Sequence, residues 1–82
     1  MENVFLDQIL IPLADQFEAR NRNHWHSFEP GHGIGYEGFR ECLAELVAEG
    51  SVLRHPSERF KFSDSGYTKY IHRIRALRAM NP

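Results

Sequence analysis

The sequence predicts a small α+β domain of three main helices and a C-terminal β-hairpin, and three observations point to it. Leu6, Leu10, Leu13 and Phe17 recur at the spacing of one helical face. Tyr36, Phe39, Leu43, Leu46 and Val47 do the same and stop before Gly50. Two short β-prone runs then flank Pro56-Ser57-Glu58, and a Ser/Asp-opened helix follows.

The first helix is predicted over 3–20, with Phe5 and Ile9 widening its apolar face. Pro12 lacks a backbone donor and crowds the carbonyl one turn earlier, so a bend, or a break near Ile11, is expected. The stretch 21–35 has no sustained period and is rich in Asn, Pro and Gly, which reads as a connection with a short helical turn over 24–28. The second main helix spans 36–49, with Gly50 placed for a left-handed C-cap. Gly38 inside it costs about 1 kcal/mol against alanine and suits close packing on a neighbour. The hairpin occupies 51–63, where alternation puts Phe60 and Phe62 on one face and Lys61 on the other. The last helix runs over 65–80, capped by Ser63 or Asp64 and striped by Tyr67, Tyr70, Ile71, Ile74 and Leu77.

At 82 residues, 41% hydrophobic and 26% charged, the chain is one globular domain, 1–82, rather than a disordered segment. The longest apolar run, from Ile9 to Ala14, contains Pro12, so no membrane span is expected. Glu2 and the lack of a basic leader point to the cytoplasm. Cys42, the single cysteine, falls beside Phe39 and Leu46 and reads as a core residue rather than a catalytic thiol. No nucleophile, base and acid fall together, so an enzyme is not expected.

Charge is unevenly divided. Residues 1–50 carry three Lys/Arg against nine Asp/Glu, and residues 51–82 carry seven against two, for a net charge of −1. The basic half suits phosphate, and the acidic half suits a basic partner or a second copy of the chain.

The segment LAELVAEGSVLR, continued by RFKFSDSGYTKYI, resembles the winged helix-turn-helix pattern: a third helix ending in Glu-Gly, a strand, an aromatic return strand, and a Ser-x-x-Gly helix start. The resemblance covers about half the chain. It implies a winged helix-turn-helix domain, three main helices plus a C-terminal β-hairpin wing, acting as a transcription-regulator-like module on double-stranded DNA. On that reading Arg54, Arg59 and Lys61 of the wing contact phosphates, Lys69 and Arg73 flank them, and Tyr36 and Arg40 lie nearest the bases. The alternative for the same cations is pairing with the acidic helix over 36–49. Glu37, Glu41 and Glu45 oppose ordinary groove docking by that helix. They define a second reading, a protein-interaction or homodimerisation module with these carboxylates as its contact face.

His24, His26, Glu29 and His32 could ligate a divalent metal. They lack cysteine and a closed-site spacing, so a surface turn without metal is the preferred reading, and no cofactor is expected. Gly31-His32-Gly33-Ile34-Gly35 lacks the preceding strand and following Lys of a phosphate loop. Trp25 reads first as a core or lid residue, with a stacking platform as the alternative.

Overall fold

The structure, a computed structural model, describes residues 4–19, 25–28 and 36–80. Its elements run α1 (Val4–Glu18), α2 (Tyr36–Ala48), β1 (Val52–His55), β2 (Arg59–Phe62) and α3 (Asp64–Met80). The hairpin therefore lies between the second and third helices, which corrects its assignment to the C-terminal end. The reason is local: Ser63 starts a helix directly from β2, and the apolar stripe beyond it keeps the remaining chain helical.

α1 is the central element, packing against α2, α3 and β2. Its Ile9, Leu10, Leu13 and Ala14 are 0% exposed, as is Ile74 of α3. Cys42, Leu43 and Leu46 of α2 complete the core with Val52, Phe60 and Phe62 of the hairpin. The helix continues through Ile11 and Pro12 as one element, so of the two outcomes expected at Pro12 the break does not occur.

α2 ends in two bonds that follow from Gly50, whose φ of 83° is the left-handed conformation glycine adopts without a Cβ penalty. The Gly50 amide donates to the Val47 carbonyl at 3.1 Å and the Ser51 amide to Leu46 at 3.0 Å, the paired bonds of a Schellman cap. The hairpin register pairs Val52 with Phe62 and His55 with Arg59 around the Pro56-Ser57-Glu58 turn. Glu58 closes that turn at φ 61°, the left-handed position of a three-residue hairpin loop.

The helical turn predicted over 24–28 is not formed by its described part, residues 25–28. Instead His26 makes an antiparallel bridge to Phe60, with each amide donating to the other's carbonyl at 2.8 Å. Phe60 directs both backbone groups away from β1, so without His26 they would sit unpaired on the hairpin edge. Phe28 then packs on Phe39 and Phe60, with ring centroids 5.3 and 6.0 Å apart. A tertiary bond thus overrides a weak local helical preference.

The junction between hairpin and α3 depends on Ser63. Its Oγ accepts from the Gly66 amide at 3.0 Å, capping the helix, and donates toward the Gly50 carbonyl at 2.6 Å. The Ser63 amide donates to Ser51 at 3.0 Å. These bonds draw the Ser51 backbone onto Gly66, where an added Cβ would lie 2.6 Å from the Ser51 carbonyl carbon. Gly66→Ala should therefore cost about 2–4 kcal/mol, because the obstacle is backbone that cannot turn aside. Gly38→Ala meets only the Phe5 ring, at 2.5 Å. That ring can swing, and the helix gains propensity, so the cost should stay within about 1 kcal/mol. Thermal unfolding checks the contrast: a drop beyond about 10 °C for Gly66→Ala, and a few degrees at most for Gly38→Ala.

Candidate functional site

The fold divides the basic residues into two sets. Lys69, Arg73 and Arg78 of α3 face the acidic flank of α1 and the end of α2, while Arg75 is exposed and makes no ion pair among the described residues. Arg73 places Nε and Nη2 each 2.6 Å from the Asp7 carboxylate. Arg78 reaches Asp15 at 2.7 Å and Glu18 at 2.9 Å, and the Tyr67 hydroxyl donates to Glu18. Lys69 lies 2.6 Å from Glu49, which also accepts from Ser51 at 2.6 Å and Tyr70 at 3.0 Å. Lys69 and Arg73, expected beside phosphates, are thus held by carboxylates within the chain. Lys69 takes Glu49, at the end of the acidic stretch 36–49 that sequence offered as the alternative partner, whereas Arg73 takes Asp7 on α1.

The hydrogen bond from Arg78 holds the Glu18 carboxyl below its ordinary value, more than offsetting partial burial, and Tyr67 adds to the effect. Arg78 is in turn held more firmly protonated, chiefly by Glu18. Burial pushes Glu49 up, but the bonds from Lys69, Ser51 and Tyr70 together outweigh it and leave its carboxyl lowered. Tyr67 is raised mainly by its bond to Glu18, and Tyr70 by burial and then by Glu49.

The second set lies on the outer face of the hairpin. Burial of Phe60 and Phe62 turns Arg59 and Lys61 outward by strict alternation. The register puts Leu53 opposite Lys61 and His55 opposite Arg59. The His26 bridge carries Trp25 onto the same face, where the Lys61 ammonium sits 4.5 Å from its ring centroid and the His55 ring 5.2 Å away. Trp25, His55 and Lys61 are half-buried, while Arg59 and Leu53 are exposed. Among the described residues Arg59 makes no ion pair. Arg54 is opposite Phe60, so it leaves from the other face, where it pairs with Glu58. The wing cations are therefore not one cluster: Arg59 and Lys61 are together and Arg54 is apart.

On α2, Glu37, Arg40, Glu41 and Glu45 are all exposed and make no ion pairs among the described residues. Tyr36 opens the helix, and its side chain lies outside the described residues. So do His24, Glu29 and His32, together with the glycine loop 31–35. His26 is committed to the sheet and stacks edge-on against Phe28 at 4.5 Å. Among the described residues no group of three His, Cys, Asp or Glu could hold a metal ion, and no helix is long and apolar enough to cross a membrane.

Sequence reasoning offered Trp25 only as an alternative stacking platform and did not bring it to His55 and Lys61. What places it there is the bridge made by its neighbour His26, and one paired residue cannot report a partner, Phe60, 34 positions away. A cleft of about 320 Å³ adjoins the face, lined by Phe17, Leu53, Phe62 and Lys61 with Gln16, Ser63 and Asp64.

The carboxylate staples give a pH dependence whose sign follows from linkage. Glu18 and Glu49 titrate at an ordinary 4.5 when unfolded and lower when folded, so their stabilisation is present above 4.5 and is lost as pH falls through the folded values. Both carboxylates are about a third exposed, which limits each contribution to about 1 kcal/mol or less. Urea unfolding should show stability declining as pH falls below about 5, and a Glu18→Gln, Glu49→Gln double variant should show a shallower decline. An unchanged slope would mean that these pairs contribute nothing.

Comparison with protein-family models, curated proteins and solved structures returns no match, so the functional reading stands on the residues of this chain.

Proposed function

We propose that the protein is a nucleic-acid-binding, regulator-like module of the winged helix-turn-helix kind, working in the cytoplasm by binding rather than catalysis. The observation that carries this reading is the outer hairpin face. Arg59 and Lys61 are side by side on it, Trp25 and His55 adjoin them, and no carboxylate is bonded to either cation among the described residues. What supports the reading is the half of the chain that carries the resemblance, where a Gly50-capped helix, two strands and the Ser63-x-x-Gly66 start of α3 follow in that order. The contact differs from groove docking by a helix: α2 presents Glu37, Glu41 and Glu45, which repel phosphate, and the sheet presents the cations.

Lys69, Arg73 and Arg78 are internally paired and the exposed Arg40 and Arg75 lie on α2 and α3, so the outer hairpin face offers about two or three phosphate contacts. Affinity for a labelled oligonucleotide should then fall with salt at a log–log slope of about −1.5 to −2.5. Anisotropy titration between about 50 and 200 mM salt measures it. Arg59→Glu with Lys61→Glu should abolish binding, whereas Lys69→Ala or Arg73→Ala should lower stability and leave affinity nearly unchanged. Loss of binding in the α3 variants alone would reverse the assignment.

A second reading is favoured by Glu37, Glu41 and Glu45 of α2, which are exposed at helical spacing and make no ion pair among the described residues. They suit a basic protein surface, including the hairpin of a second copy. Sedimentation equilibrium at low salt should then show self-association that Glu41→Lys removes; a monomer at all concentrations would exclude the homodimer.

A further inference from the structure

We propose that the outer sheet face takes an unpaired nucleotide of a single strand, with a base stacked on Trp25 and the backbone held by Arg59 and Lys61. This inference rests on the nucleic-acid reading above and names the form of nucleic acid that the site accepts.

Trp25 is the single tryptophan of the chain and is half-buried rather than part of the core. Two bonds from its neighbour His26 to Phe60 anchor it on a rigid sheet. The Lys61 ammonium 4.5 Å from its ring and the His55 ring 5.2 Å away hold the indole against the strands. An anchored aromatic surface beside cations is the chemistry of single-strand recognition, because each unpaired base exposes a π face. A duplex keeps those faces stacked inside and offers the indole nothing.

The cleft is an independent observation. Leu53, 41% exposed, lies across β1 and β2 from Lys61 and helps line a concavity of about 320 Å³ over Phe17 and Phe62. That volume is at the lower end of the range of small-molecule sites, about 300–1,000 Å³. Gln16 and Asp64 on its rim supply an amide and a carboxylate that can meet the polar edge of a base. The cleft shares Lys61 with the Trp25 face but not Trp25 itself, so it takes the base next to the stacked one; a base pair inside a duplex cannot enter it. The few free cations point the same way: with so little phosphate attraction, stacking has to supply much of the affinity.

The test compares a labelled mixed-sequence single strand of about 10 nucleotides with its duplex at low salt, using anisotropy and the fluorescence of Trp25. The single strand should bind at least about 10-fold tighter and quench the tryptophan. Trp25→Ala should weaken single-strand binding by roughly 5- to 150-fold, and Trp25→Phe should restore most of it. Equal affinity for both forms, with Trp25→Ala unchanged, would overturn stacking. The phosphate reading would survive that result if Arg59→Glu with Lys61→Glu still abolished binding. Absence of binding to either form would remove both readings. Should Trp25→Ala fail to fold by circular dichroism, wild-type fluorescence decides: quenching by the single strand but not the duplex supports the proposal, and no quenching overturns it.

Discussion

α2, α3 and β2 are all laid against α1. Its Ile9, Leu10, Leu13 and Ala14 are fully removed from solvent. Burying an aliphatic side chain contributes about 1.5–3 kcal/mol, whereas an exposed ion pair contributes at most about 1. The apolar face therefore sets where α3 lies, and the ion pairs follow from that placement. Asp7, Asp15 and Glu18 flank the buried stripe of α1 and meet Arg73 and Arg78 because the stripes of the two helices have already been brought together. The split between an acidic first half and a basic second half is thus in part an internal match, made by Lys69, Arg73 and Arg78.

What is left unmatched is decided by the sheet. Once Phe60 and Phe62 enter the core, alternation sends Arg59 and Lys61 to the opposite face. The Ser51, Ser63 and Gly66 junction fixes this choice, because it ties the start of β1 and the end of β2 to the first turn of α3. A slip of one residue in β2 would bury a lysine and expose both phenylalanines. The same constraint that completes the core thus creates the exposed basic face, and the His26 bridge adds an aromatic ring to it.

The helices were legible because their signals are local and repeated. The stripe Leu6, Leu10, Leu13, Phe17 gave 3–20 for Val4–Glu18, and Gly50 marked the end of α2 through a backbone conformation that favours glycine. Ser63 announced α3 in the same way. The hairpin order was readable from its own residues, although describing it as C-terminal misplaced it relative to α3. The bridge at 26 was not legible, since one paired residue has no period and its partner is 34 positions on. The fate of the cations was also hidden. Arg73 and Asp7 lie 66 residues apart, and composition reports their charges without their distance. For that reason the sequence grouped Lys69 and Arg73 with Arg59 and Lys61, whereas the fold separates them.

This separation changes how the surface can work. With a net charge of −1, the molecule has no strong overall attraction for a polyanion. Long-range steering by total charge would be weak, and fields within about a Debye length, roughly 8–10 Å, matter most. In that range the two exposed surfaces act in opposite senses. The carboxylates of Glu37, Glu41 and Glu45 repel phosphate from α2, while Arg59 and Lys61 attract it to the hairpin. On the proposed nucleic-acid reading, a polyanion is oriented by exclusion as much as by attraction, and its backbone is led to the face where Trp25 stands. On that reading the acidic helix, which sequence alone sets against nucleic-acid binding, is the element that keeps a strand on the sheet.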